Sequence, residues 1–183
     1  MLISGNSLYC LTFRYGGTAG SREIGRECMY QVSFVRTEWE LKQVLDFCYG
    51  ILGQHLRDIS PYRYEDWKER IERDSKLLVY AHEDGNVISA VLGRRENEES
   101  LVCGFVACEI GHRRQGITRR LMDIFETEAV RAGFRYITLG SEEDGFYEKC
   151  GFHMIDEMHG QKIYQKLLRR DSPNDIFVKK RDC

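Results

Sequence analysis

A chain of 183 residues is sized for one domain with a substantial core, and its net charge of −2 gives no general attraction to nucleic acid or anionic membrane surfaces. No segment approaches the roughly 20 consecutive apolar residues of a membrane span, and the N-terminus lacks a basic leader followed by an apolar run. Seven cysteines, odd in number and never spaced as Cys-x-x-Cys, predict reduced thiols in a cytoplasmic protein rather than disulfides or a zinc site.

Residues 1–26 hold one short apolar stretch, Leu8–Arg14, before the flexible Gly16–Ser21 run, and read as an extension outside a main domain of residues 27–170. Tyr30–Val35 alternates as a strand does. Thr37-Glu38-Trp39-Glu40 is a capping box, and Leu41, Val44, Leu45, Cys48 and Leu52 after it fall on one helical face. A second helix is predicted over Tyr64–Asp74, with Tyr64, Trp67 and Ile71 inward.

Three strands come next, Lys76–His82, Val87–Gly93 and Leu101–Ile110, joined by turns short enough to imply an antiparallel meander. Gly116 then opens a helix in which Ile117, Leu121, Phe125 and Ala129 recur every four residues, and Gly133 is placed to end it. A strand at Tyr136–Gly140, a short helix at Gly145–Lys149 and strands at Phe152–Asp156 and Lys162–Leu168 complete the domain. Residues 171–183 form a charged tail. The order predicts an α/β domain with a mixed, largely antiparallel sheet flanked by helices.

The segment from Leu101 to Ala132 carries the chemistry. A buried strand ends near Ile110, the chain turns through Arg113-Arg114-Gln115-Gly116, and an amphipathic helix starts at once. First-turn amides without internal partners and the helix dipole favour an anion there. Gly116 keeps no side chain in the way, and two arginines supply charge-assisted donors suited to phosphate oxygens. Alone, the arginines would read as solvated surface charge. The turn is neither a Walker loop nor a three-glycine Rossmann fingerprint.

These residues resemble the signature of the GNAT N-acetyltransferase superfamily, Arg/Gln-x-x-Gly-x-Gly/Ala between a strand and a helix. Arg113, Gly116 and Thr118 take its three positions, with Thr118 departing from Gly/Ala. Thr118 is still small, and its hydroxyl could donate to a phosphate or cap the helix. Downstream, Phe146-Tyr147-Glu148-Lys149-Cys150-Gly151-Phe152 resembles the family's Tyr-Glu-Lys-x-Gly-Phe segment. The likeness covers residues 28–168, most closely 101–155.

It implies a GNAT-like fold and direct transfer of an acetyl group from acetyl-coenzyme A to a primary amine. In such a fold the strand before the turn splays from its neighbour. The Val106 amide would polarise the thioester carbonyl and the Cys108 backbone would meet the pantetheine arm. Arg113 and the amides of Arg114, Gln115, Gly116, Ile117 and Thr118 would hold the pyrophosphate. Tyr147 would be the general acid, protonated at neutral pH and able to protonate the departing thiolate. For the base, Glu109 is the best-placed carboxylate in sequence, with His112 next and a water chain as the alternative.

Blander readings stand beside these. Tyr147 could be a packing aromatic like Phe146 and Phe152. Cys103, Cys108 and His112 could be imagined as metal ligands, but residues 103 and 108 have opposite strand parity and are expected on opposite faces, so no metal is predicted. Cys150 reads as buried. Glu142, Glu143 and Asp144 form either a solvated loop or a lure for a cationic amine, with Asp58, Tyr62 and Tyr64 opposite. The acceptor, a small molecule or a protein, has no readable code. A longer acyl donor, or a non-catalytic module that binds coenzyme A or a partner protein on the same scaffold, remain open, as does pairing of the final strands in a homodimer.

Overall fold

A computed structural model describes residues 30–143 and 145–168; the extension 1–26, the tail 171–183 and Asp144 lie outside the described residues. Strand β1 (Gln31–Phe34) leads to helix α1 (Glu38–Leu52) through the expected capping box. The Thr37 hydroxyl accepts from the Glu40 amide at 3.2 Å and the Glu40 carboxylate accepts from the Thr37 amide at 2.9 Å. A cap of this kind contributes about 1 kcal/mol. Leu41, Val44, Leu45 and Cys48 are buried, whereas Leu52, expected on the same face, is exposed where Gly53 (φ 138°) turns the chain away.

The helix expected over Tyr64–Asp74 is two, α2 (Tyr64–Lys68) and α3 (Arg70–Asp74), parted at Glu69. Pieces this short do not stand alone. Trp67, wholly buried against Phe105 with ring centroids 5.3 Å apart, holds them down.

Strands β2 (Leu78–Glu83), β3 (Asn86–Arg95) and β4 (Ser100–Cys108) form the meander. Lys76 and Leu77, expected in a strand, belong instead to a 3-10 turn, as does Ile110. Helix α4 (Ile117–Arg131) buries Ile117, Leu121, Phe125 and Ala129, and Gly133 (φ 92°) closes it. Strand β5 (Tyr136–Ser141), helix α5 (Phe146–Lys149) and strands β6 (His153–Met158) and β7 (Gln161–Leu167) complete the domain. The sheet order is β1-β2-β3-β4-β5-β7-β6. Every neighbouring pair is antiparallel except β4–β5. One core lies between the sheet and α4; a second lies under α1 and α2.

Two irregularities in β4 open a cleft beside it and set which way its side chains face. It pairs with β5 only from Ser100 to Val102, opposite Tyr136 to Thr138, and beyond that the two strands part. It also carries a bulge: Leu92 faces Phe105 but Gly93 faces Cys103, so Gly104 is an inserted residue. The insertion resets the alternation. Leu101, Cys103 and Val106 pack on the α4 side, whereas Phe105 and Ala107 pack on the α1 side. Cys108 is registered against Ser89, whose hydroxyl meets Thr118 of α4. Cys103 and Cys108 therefore share a face, and the parity argument that separated them is corrected. Among the described residues, no three His, Cys, Asp or Glu side chains come together as a metal site. No described helix is long and apolar enough to cross a membrane.

Candidate active site

The free edge of β4 supplies backbone donors. In an antiparallel ladder, successive residues point their amides alternately toward and away from the partner strand. Glu109 donates its amide to Ile88 of β3 at 2.9 Å. Ala107 and Phe105 are in phase with it, so Val106 and Cys108 turn their amides and carbonyls the other way, toward the side from which β5 has departed. The two positions expected to meet a thioester and its arm thus turn their backbone to an edge that no described strand pairs. The exposed Arg113 side chain lies on the same edge, its Nε donating to the Cys108 carbonyl at 3.4 Å.

The turn into α4 leaves backbone donors facing open space. Arg114 (φ 63°) and Gly116 (φ 79°) both adopt the left-handed conformation, and the Gln115 side-chain amide ties the turn back to the Gly111 carbonyl at 3.0 Å. The first helical bond runs from the Arg120 amide to Gly116, which leaves the amides of Ile117, Thr118 and Arg119 without helical acceptors. No acidic residue occupies this first turn, and a Cβ on Gly116 would meet nothing within 4 Å. The space in front of the helix is open.

Ile117 anchors the helix by its buried side chain, so only its backbone faces the turn. Thr118 does not cap the helix. Its hydroxyl lies 3.0 Å from Ser89 Oγ, and Ser89 donates its own proton to the Ala107 carbonyl at 2.9 Å. Thr118 must then be the donor to Ser89, which leaves it no proton for a phosphate. Ser89 was not foreseen, although a lone polar residue in the apolar run Val87–Leu92 is the signal that could have found it.

Tyr147 is only 6% exposed, packed edge-on against Phe146 and Phe152 and tilted on Tyr164. Burial raises its phenol above the ordinary value, the nearby Cys103 adds to this, and a side-chain hydrogen bond with Ser141 opposes it. Cys103 is on β4 and Ser141 ends β5, so the phenol sits between the parted strands.

Glu109 belongs to another cluster. Its carboxylate is 2.7 Å from His112 Nδ1, a close contact that lies outside hydrogen-bond alignment, and His112 Nε2 is 3.1 Å from Glu83 at the end of β2. Tyr147 and Glu109, the two expected catalytic groups, are thus held by different partners. Glu142 and Glu143 are exposed, and the Glu143 amide donates to Ser141 Oγ at 3.0 Å. Of the residues expected opposite, Tyr62 packs on Phe105, Tyr64 is turned to Glu38 and Asp58 is exposed. Cys48 and Cys103 are buried, while Cys108 and Cys150 are half-buried.

A family model described as an acetyltransferase (GNAT) domain matches residues 53–163. No curated protein sequence matches the chain. Among solved structures, a PaiA N-acetyltransferase from Thermoplasma acidophilum in complex with coenzyme A is 16% identical, the match covering 75% of this chain and 98% of that one with a TM-score of 0.62. An aminoglycoside 6'-N-acetyltransferase complexed with coenzyme A is 14% identical over 77% of this chain and 98% of that one, with a TM-score of 0.60. The ribosomal-protein-S18-alanine N-acetyltransferase from Escherichia coli is 14% identical over 80% and 98%, with a TM-score of 0.56. At such identities the likeness is one of fold.

Proposed function

This chain belongs to the GNAT acetyltransferase family, and from that premise we propose that it moves an acetyl group directly to a primary amine that approaches the free edge of β4 from the α1 face. It is an acetyltransferase with acetyl-coenzyme A as cosubstrate. The observation that carries the finer reading is the parting of β4 from β5 beyond Val102, beside a helix start free of acidic residues.

In this reading the free amides of Ile117 and Thr118, with those of the Arg114–Gly116 turn, receive the pyrophosphate, and the Arg113 and Arg114 guanidinium groups complement its charge. Arg113 leaves the Cys108 carbonyl to do so, which frees the Cys108 backbone for the pantetheine arm. The Val106 amide donates to the thioester carbonyl. Attack by the amine turns that oxygen into an oxyanion, and the same amide stabilises it without reorganising. Tyr147 donates its phenolic proton to the departing thiolate and regains the one that the amide nitrogen sheds as the intermediate collapses; its raised pKa keeps the phenol protonated throughout the neutral range. The ammonium proton of the acceptor leaves first, through water to the Glu109–His112 pair at the end of β4.

The test is thiol release from acetyl-coenzyme A across a panel of primary amines, run beside a coenzyme A binding titration. Amine-dependent release is expected. Tight cofactor binding with no turnover on any amine would instead identify a non-catalytic binding module.

A further inference from the structure

Three polar donors on the α1 face of the sheet have no acceptor among the described residues. Trp67 Nε1, Arg70 Nη1 and Arg94 Nε are all shielded from solvent, and among the described residues no group accepts from any of them. A buried donor left unpaired carries the full desolvation cost of the group, so three in one neighbourhood need an explanation.

They do occupy one neighbourhood. The Arg70 guanidinium lies over the Trp67 ring, 4.9 Å from its centroid. Trp67 is fully buried, with the edge of its six-membered ring 3.0 Å from where a Cβ on Gly104 would stand. Arg94 is registered against Val102, on the same face as Leu92 and Phe105. Burial first, and the Arg94 charge second, pull the Arg70 guanidinium below its usual range. Nearby carboxylates do not resolve this. Asp66 is held by Arg63 at 3.1 Å, Glu96 reaches only the Nη1 of Arg94, at 3.2 Å, and Glu69 is exposed.

The position of the cluster gives it meaning. Val102 is the last β4 residue paired with β5, and Gly104 is the bulge just beyond it. The unpaired donors therefore lie where the cleft closes, on the face away from α4. We infer that Arg70, Arg94 and the Trp67 indole form an anion subsite for the acceptor, which carries a carboxylate or phosphate on the same molecule as its amine. The placement rests on the reading that the amine meets β4 from the α1 face. Two guanidinium forks beside an indole donor match the oxygens of such a group. Arg70 is half-buried, and its long side chain can swing to admit the anion. Gly104 and Val106 are two strand residues apart, about 7 Å, which sets the scale of the separation between the anion and the reacting amine.

The two tryptophans make the test direct. Protein labelled with nitrogen-15 at the indoles gives one signal from Trp67 and one from Trp39, which is 68% exposed and serves as the internal reference. It is titrated with 6-aminohexanoate, whose chain spans about the required distance, and in parallel with 6-aminohexanamide, the same amine without the charge. The Trp67 signal is expected to move saturably with the carboxylate, at concentrations at least tenfold below any effect of the amide, while Trp39 stays still. Arg70→Gln or Arg94→Gln removes that difference without lowering Tm, and wild-type kcat/KM is at least tenfold higher for the carboxylate. Equal responses to both probes, or a silent Trp67, overturn the subsite. Acetyl transfer to both probes alike with Trp67 silent overturns the subsite but leaves the acetyltransferase reading intact. A selective Trp67 response without transfer keeps the subsite and overturns only its placement beside the reacting amine.

Discussion

Ser89 and Thr118, 29 residues apart, share a hydrogen bond 3.0 Å long, and through Ser89 it continues to the Ala107 carbonyl. Helix α4 is thereby tied by its first turn to the strand segment that carries Val106 and Cys108. The expected outcome of Ser89→Ala is a loss of about 1–2 kcal/mol in stability, since a buried serine with two partners is removed. KM for acetyl-coenzyme A should rise severalfold while kcat changes less. Denaturant melts with steady-state kinetics check this, and a Ser89→Ala, Thr118→Ala double-mutant cycle should return a coupling of about 0.5–1.5 kcal/mol. Additive effects would show the tether to be idle.

Tyr147→Phe keeps the ring stack on Phe146, Phe152 and Tyr164 and removes only the hydroxyl. If the phenol protonates the leaving thiolate, kcat falls by about 100-fold, the lower end of a general acid's contribution. Affinity for coenzyme A, read by titration, should stay within about threefold of wild type. Equal turnover in the two proteins would remove Tyr147 from the mechanism.

Arg114 and Gly116 separate strain from function. A non-glycine residue at φ 63° is strained, so Arg114→Gly should hold or raise Tm while weakening coenzyme A binding through the lost charge. Gly116→Ala should cost about 1 kcal/mol because its φ of 79° resists a Cβ, although no atom stands in the way. Gly116→Glu adds negative charge to the open space before α4 and should abolish binding. Melting curves and coenzyme A titrations on the three variants distinguish these effects.

Alkali should unfold the protein early. Burial pushes the phenols of Tyr49 and Tyr80 up to about 12, and the Glu40 carboxylate contributes at Tyr80. The unfolded chain ionises them near 10. Raised folded values mean that stability from keeping these phenols neutral is whole below pH 10 and is lost as pH climbs from 10 through about 12. Tm recorded from pH 8 to 12 should fall steeply in the wild type and less steeply in Tyr80→Phe.

Local chemistry made much of this legible. The capping box at Thr37 and Glu40, the glycines that open and close α4, and the periodic Ile117, Leu121, Phe125 and Ala129 all act within a few residues of themselves, so their spacing alone reveals them. Tertiary juxtaposition hid the rest. Ser89 meets Thr118, and Glu83 meets His112, only because strands and helix are stacked; each pair is 29 residues apart in sequence. Glu109 and His112, by contrast, are three residues apart, and the 3-10 turn at Ile110–His112 sets their side chains against each other. The bulge had a visible marker, a glycine inside a strand. Strict alternation was nevertheless the wrong rule for Cys103 and Cys108, because one inserted residue changes the phase of everything after it.

Strand β4, like any pleated strand, has one set of neighbours on each face, and the insertion at Gly104 decides which residues belong to which. Phe105 and Ala107 belong to the wall under α1, while Cys103, Val106 and Cys108 look toward α4. Under the proposed mechanism, the first set lines the approach of what is acetylated, while the donor is met at the open edge by the backbone of Val106 and Cys108, whichever side chains they carry. Substitutions can therefore accumulate in one set without disturbing the other. A single strand thus lets a lineage change its choice of acceptor while its donor chemistry stays fixed.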